Sequence, residues 1–443
     1  MSQVVPGSLI DEAVAATGVG QRRVRLLPAR LVVLFVLAMV VFSGNGYTHV
    51  WRQMVSGWPG LARLAPTRSA FTQARRRLGE APLAWLFTRL RGACGQAHTP
   101  GVFAFGLRKV AWDGTTITVP DSPGNAEAFG RSRGGGGNVG GYPRLWLNVL
   151  IECGTRAVVA AAFGHGGEVA LAGHLLGGLG PDMLLLADRN FCSYQLWQQA
   201  RARGAHLLWR VKADRLLPVH HVLPDGSWLS RINPSRAERA AGATAITVRV
   251  VRYAITITTT GPHGRTSRRE HVRLMTSLLD PDLASAADLA ACYHERWEQE
   301  TGYADLKTWL RGPDVILRSR QPQDVRQELW AHLIVYQTLR HLITDIATSQ
   351  HLDPDTLSFL TCLRIIQLKI TNLAIVAGQP MTEALLELED HLLTEQIPTR
   401  RTRSSPRVVK RPTKPYPSKK PGVTSTHATY TIETLPPATQ ETA

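Results

Sequence analysis

Cysteine is scarce in this chain. Its five Cys (94, 153, 192, 292, 362) lie far apart in 443 residues, and none forms a C-x-x-C pair. That excludes a disulfide framework and a cysteine-built zinc site, and it fits a reducing compartment. No P-loop lysine motif occurs, so an ATP-driven activity has no support. An apolar run long enough to cross a bilayer is also missing. The apolar run Leu31–Phe42 lies behind Arg22, Arg23, Arg25 and Arg30. It is too short for a spanning helix, and no A-x-A cleavage site follows, so it reads as a buried core helix rather than a targeting segment. Acidic residues are outnumbered: 34 Asp+Glu stand against 51 Lys+Arg, a net charge of +17. An acidic partner follows, nucleic acid first and an anionic membrane surface second.

What is present is enough for two to four structural units, and a hydrophobic content of 44% supports a sizeable core. Residues 1 to about 98 read as helical, with Pro28 at a first-turn position and breaks at Gly44-Asn45-Gly46 and Gly57-Trp58-Pro59-Gly60. Arg68, Arg75, Arg76 and Arg77 sit on one helical stretch. It is either a solvated basic face or a unit that touches DNA backbone. From about 105 the period becomes that of strands: Lys109–Val119, then Leu145–Glu152 and Ala157–Phe163 around a turn at Cys153-Gly154. A helix over Val169–Leu179, a short buried strand Met183–Ala187 and a helix Tyr194–Arg203 complete a β-β-β-α-β-α order, a mixed sheet with flanking helices. Residues about 207 to 279 return to strands; Ile246–Thr259 has 10 β-branched residues in 14. This block reads as an insertion. A helix from Ser285, capped with Asp288, is expected to run to Arg311 before Gly312-Pro313, and helices continue to about 393. The segment 394–443, rich in Pro and Thr, reads as a disordered tail.

Gly135-x-Gly137-x-x-Gly140 formally matches a dinucleotide fingerprint, but it precedes a strand instead of joining a strand to a helix, so it reads as a loop. Asp113, in Trp112-Asp113-Gly114-Thr115, lies within the first strand, and Asp188, in Asp188-Arg189-Asn190-Phe191, ends a buried one. A carboxylate at the edge of an apolar strand is costly unless paired or bound to a cation. Singly, each could be a cap or turn residue; together they suit a hard metal ion. Asp121 and Asp182, each after a proline, read as turn residues. The third acid comes from the helix after Ser285. At 100° per residue Tyr293, Arg296, Glu300 and Lys307 fall at about 0°, 300°, 340° and 320°, one narrow face. Glu295, Glu298 and Asp305 fall on the far side. Only four Lys precede residue 400 (109, 212, 307, 369), and one of them is on this face.

These residues resemble the DDE transposases of bacterial insertion sequences. Tyr293-x2-Arg296-x3-Glu300-x6-Lys307 is similar to the YREK signature of the insertion-sequence-four family. The likeness covers about residues 25 to 345, including Leu27-Pro28-Ala29-Arg30 with its apolar run and Leu317-Arg318-Ser319-Arg320. The spacings from Asp113 to Asp188 and from Asp188 to Glu300 also fit, and the second leaves room for the β-rich block. The resemblance implies an α/β, RNase H-like catalytic domain over 99–393 with a β-rich insertion, behind a helical N-terminal domain over 1–98 with DNA-end contacts. It implies that Asp113, Asp188 and Glu300 hold two divalent ions, Mg²⁺ or Mn²⁺. Tyr293, Arg296 and Lys307 would bind a DNA phosphate. The activity implied is metal-dependent cleavage at the ends of an element and joining of its 3′-ends to target DNA, by a dimer acting on terminal inverted repeats in the bacterial cytoplasm.

Two other readings share the fold: a catalytically silent DNA-binding protein derived from a transposase, and a nuclease without strand transfer. A membrane-surface protein fits least, because the core's basic residues do not line one amphipathic helix. The charge itself is uneven. Residues 400–420 hold nine Lys/Arg and no acid, so they carry +9 of the +17. Such a tail raises salt-sensitive, non-specific DNA affinity but does not read sequence.

Overall fold

The computed structural model describes residues 5–20, 26–56, 59–133, 139–261, 264–297, 302–303, 305–306, 316–372, 381–397 and 427–438. In chain order we label helices α1 (Gly7–Ala16), α2 (Ala29–Val41), α3 (Tyr47–Val55), α4 (Arg68–Leu78) and α5 (Ala81–Leu90). Then follow β1 (Leu107–Thr118), α6 (Pro123–Phe129), β2 (Val139–Glu152), β3 (Val158–Gly164), α7 (Glu168–Ala172), β4 (Met183–Ala187), α8 (Tyr194–Ala202) and β5 (His206–Arg210). Further on come β6 (Trp228–Ile232), β7 (Ile246–Gly261), β8 (Gly264–Thr276), α9 (Ala286–His294), α10 (Pro322–Ser349), α11 (Phe359–Asn372), α12 (Met381–Thr394) and β9 (His427–Leu435). The chain divides into two units. The first holds residues up to Val102, Trp112–Gly178 and Glu298–Pro398; the second holds Phe103–Ala111, Leu179–Trp297 and the residues from Thr399 on. The boundary falls within β1.

In the first unit, one apolar core joins the N-terminal helices, the β2–β3 hairpin and α10. α2 explains why its apolar run is not a targeting segment. Eleven of its 13 residues are buried, and a helix apolar on every side belongs in an interior. Pro28 occupies the N-cap, one position ahead of the first turn proper. α4 settles part of the basic stretch differently from both sequence readings. Arg75 is only 2% exposed and donates to Gln327 Oε1 (2.9 Å), Ser319 Oγ (3.1 Å) and Tyr47 Oη (2.5 Å). It is neither a solvated cation nor a DNA contact. β2 and β3 pair antiparallel from Trp146↔Gly164 to Ile151↔Val158, with Gly154 at φ 90° in the turn. A Cβ there would lie 2.7 Å from the Pro100 carbonyl oxygen. The short helix α6, capped by Ser122 with Pro123 behind it, is not among the elements expected from the sequence, although a serine cap with proline at N1 is a start signal.

In the second unit, β1 pairs parallel with β4 from Arg108↔Met183 to Ala111↔Leu186, and β4 pairs parallel with β5. Leu184, Leu185 and Leu186 are fully buried, as an apolar strand covered on both faces should be. β5 is then flanked antiparallel by β8, whose long hairpin with β7 runs from Arg249↔Thr276 to Gly261↔Gly264. β6 pairs with the start of β7 and β9 with the rest, Arg252↔Leu435 to Thr260↔His427. That last strand corrects the expectation of a tail without structure. His-Ala-Thr-Tyr-Thr-Ile-Glu-Thr-Leu alternates and is rich in β-branched and aromatic residues, and β7 offers it an edge. Within this unit the strand order is β1-β4-β5-β8-β7-β6. This is a mixed α/β, RNase H-like sheet. No described helix is long and apolar enough to cross a membrane.

Candidate active site

Within the first unit, Asp113 sits on β1 with its Oδ1 accepting from Gly114 N–H at 2.9 Å. The same N–H donates to Glu168 Oε1, also at 2.9 Å. Tyr303 donates its hydroxyl to the Asp113 carbonyl oxygen. Burial, aided by the Asp113 charge, pushes the Tyr303 phenol well above its ordinary value, so it stays a donor at any working pH.

Within the second unit, Asp188 directly follows β4. Its Oδ1 is buried and has no hydrogen-bond partner among the described residues. It lies two residues past Leu186 of β4, which is fully buried. Tyr293, near the end of α9, donates to the Ala187 carbonyl oxygen at 3.2 Å. Arg296 lies over its ring, 5.9 Å from the centroid. Burial pushes the Tyr293 phenol up to about 12, against the pull of Arg296 and with a push from Asp188. Tyr293, Arg296 and Asp188 therefore form one electrostatic cluster, as the narrow helix face predicted for the first two.

The helix carrying that face is shorter than expected. Ser285 caps it through Asp288 N–H (3.2 Å), but α9 ends at His294 and a 3₁₀ turn follows over Glu295–Trp297. Over that turn the rotation per residue departs from 100°. Glu300 and Lys307 lie outside the described residues. Two of the far-side acids are held in ion pairs. Glu295 pairs with Lys109 of β1, whose side chain is 3% exposed. Asp305 is buried against Arg340 and lies 3.9 Å from Arg156. The turn readings hold: Asp121 is exposed and binds Arg131 at 2.5 Å, and Asp182 gives its backbone oxygen to Arg108 N–H.

A cleft of about 640 Å³ in the second unit is lined by Arg189, Arg210, Arg215, Arg252, His271 and Arg273. Arg189 is next in sequence to Asp188. Guanidinium groups converging on a cleft suit phosphate oxygens. Sequence reasoning missed this grouping, because its members come from β5, β7, β8 and two connecting segments and meet only in the fold. It also missed Glu168, Asn148 and Tyr303. Asn148 alone left a trace, a polar residue inside the apolar strand β2.

Among the described residues, no three His, Cys, Asp or Glu side chains are placed together to hold a metal ion. The donors that are described do fit one. They are carboxylate oxygens, the hard ligands of Mg²⁺ and Mn²⁺, and a buried carboxylate oxygen without a partner is the condition a cation relieves.

The comparisons with known proteins show the family. Residues 1–88 match the model described as insertion element 4 transposase N-terminal, and residues 104–337 match the transposase DDE domain. The chain is 28% identical over 420 residues to the transposase InsG for insertion sequence element IS4 of Escherichia coli (strain K12), covering 93% of this chain and 91% of that protein. It is 26% identical over 244 residues to the putative transposase InsZ of the same organism, covering 54% and 79%. A piggyBac transposase, solved by cryo-EM as a synaptic complex with hairpin DNA, aligns with a TM-score of 0.41 at 10% identity, over 87% of this chain and 83% of that one. The DDE domain spans more than half of the sequence, and the chain belongs to the DDE transposases.

Proposed function

We propose that Asp113, Asp188 and Glu300 are the catalytic acids of this DDE transposase, and that Tyr293, Arg296 and Lys307 bind a phosphate of the terminal DNA beside them. The enzyme catalyses DNA transposition, by endonuclease cleavage followed by strand transfer, and depends on divalent metal ions. The observation that carries the residue assignment is the buried, partnerless Oδ1 of Asp188 at the end of an apolar strand. The three carboxylates would hold two Mg²⁺ or Mn²⁺ ions, which when bound acidify an attacking oxygen and neutralise the leaving one.

The chain's own groups define the rest. Asp113, Asp188 and Glu300 repel one another without a cation between them, so their convergence favours a cation-bound state. Tyr293 keeps its proton and, turned from the Ala187 carbonyl oxygen, would donate it to phosphate; Arg296 supplies fixed positive charge. Water attacks the scissile phosphorus and the 3′-oxygen departs, leaving a free 3′-hydroxyl. That hydroxyl then attacks a phosphorus of the target strand, whose own 3′-oxygen departs. No covalent protein–DNA bond is needed. The arginine-lined cleft would follow the DNA backbone outward from the site. A homodimer with one protomer per end, acting on terminal inverted repeats among the DNA of the bacterial cytoplasm, completes the reading.

The test is direct. Purified protein with Mg²⁺ and DNA bearing the element's terminal repeats should cut at the ends and join them to a target duplex. Asp188→Ala and Glu300→Ala should abolish both steps. Retention of cleavage by either variant refutes the assignment.

A further inference from the structure

A group of oxygens beside Asp113 is not used by the three-acid reading. Gly114 N–H is shared between Asp113 Oδ1 and Glu168 Oε1, each at 2.9 Å. A Cβ at Gly114 would lie 2.5 Å from Glu168 Cγ and 2.7 Å from Asn148 Oδ1. Only glycine admits the two side chains at this point of β1. Asn148 is fully buried. Its Nδ2 donates to the Glu168 backbone oxygen at 2.5 Å, while its Oδ1 faces Gly114 and has no partner.

Two features here are unfavourable as they stand. Carboxylates that share one donor repel each other. A buried amide oxygen without a donor has lost its water for nothing. Glu168 opens the five-residue helix α7, and a helix start accounts for an acid there. It does not account for the orphaned Asn148 oxygen or for the turn of the Glu168 carboxyl toward Gly114. A hard cation removes both penalties, since carboxylates together with an amide oxygen make an ordinary ligand set for one.

We propose that Glu168 is a fourth carboxylate of the metal centre, acting with Asp113, and that Asn148 Oδ1 supplies a neutral oxygen to the same ion. The inference rests on the reading of Asp113 as a metal ligand, and the variants below separate the two. Glu168 is also placed to set the orientation of Asp113 through their common N–H.

The experiment uses the full chain and MnCl₂ alone. Mn²⁺ binding is followed by electron paramagnetic resonance, with the melting temperature measured with and without the ion. Glu168→Gln keeps an acceptor for Gly114 and removes the repulsion with Asp113, so its metal-free melting temperature should be no lower than the wild type's. Its Mn²⁺ affinity should fall at least tenfold, and Glu168→Asp should recover part of that loss. End cleavage by Glu168→Gln should need proportionally more Mn²⁺ for its half-maximal rate. Mn²⁺ affinity within twofold of wild type in Glu168→Gln overturns the proposal. So does weakened binding matched by a lowered metal-free melting temperature, which marks a structural role. Wild-type Mn²⁺ binding by Asp113→Asn would instead sink the underlying acid assignment, whereas loss there with retention in Glu168→Gln sinks the fourth acid alone.

Discussion

In the proposed site Asp188 would serve chemistry at a cost to the fold. A partnerless buried carboxylate oxygen destabilises the metal-free protein by about 1 kcal/mol or more. Asp188→Asn removes the charge, so we expect a higher melting temperature without metal together with loss of end cleavage. Calorimetry and the cleavage assay on one preparation check both. For Tyr293 the folded pKa lies above the unfolded value. Its contribution to stability is therefore complete below pH 10 and disappears as pH rises toward about 12. Tyr293→Phe should flatten that part of the stability–pH curve. It should leave the pH dependence of cleavage below 10 unchanged in shape while lowering the rate. A new limb in the wild-type profile near neutral pH that vanishes in Tyr293→Phe would contradict the donor role.

At the scale of elements, ion pairs in the interior fix the segments around the site. Asp305 is clamped by Arg340 of α10 and lies near Arg156, which itself pairs with Asp355. Tyr303 ties the same segment to β1 through the Asp113 carbonyl oxygen. Removing one member of a buried pair leaves a charge without compensation, so Asp305→Ala should cost about 3–5 kcal/mol in a denaturant titration. Tyr303→Phe loses only a hydrogen bond, about 1 kcal/mol. It should lower the cleavage rate more than its stability loss suggests, because the tether holds the strand that carries Asp113. The thiols report on the same interior. Burial pushes Cys292 and Cys362 up to about 12. Both should resist alkylation at pH 8 until the protein unfolds.

For the whole molecule, the basic run and the terminal strand have separable effects. Residues 400–420 carry nine positive charges, while β9 completes the edge of β7 over nine register pairs. Neutralising the nine Lys/Arg to Gln should reduce the salt dependence of DNA binding. The slope of log K against log salt should fall by up to ~0.9 for each phosphate no longer neutralised, and the melting temperature should stay the same. Deleting 396–443 should do more, because it strips β7 of its partner and exposes an edge prone to pairing with other chains. Filter binding across salt concentrations and light scattering of the truncated protein distinguish the two effects. Equal stability of the truncated and full chains would show that β9 adds nothing.

The sequence by itself determined the strands and the family. Apolar alternation and short β-branched runs are local signals, and they marked β1, β2, β3 and β4 within a residue or two, except that β2 starts well before Leu145, at Val139. β5 was read into the β-rich block from about 207, whereas it pairs parallel with β4. Asp113 and Asp188 stood out as candidates because acids within or just after apolar strands contradict their surroundings. Tyr293 and Arg296 were legible because they lie within one helical turn of each other. Long-range packing decided the rest. Past His294 a 3₁₀ turn changes the rotation per residue, and Lys109 and Arg340 neutralise Glu295 and Asp305 from elsewhere in the chain. Arg75 looked like a surface cation, and only the meeting of α4 with α10 makes it a buried donor. Glu168 was silent, and Asn148 and the β9 strand left only weak local traces, for the same physical reason. Their roles come from partners remote in sequence, and a sequence window holds propensity, not contact.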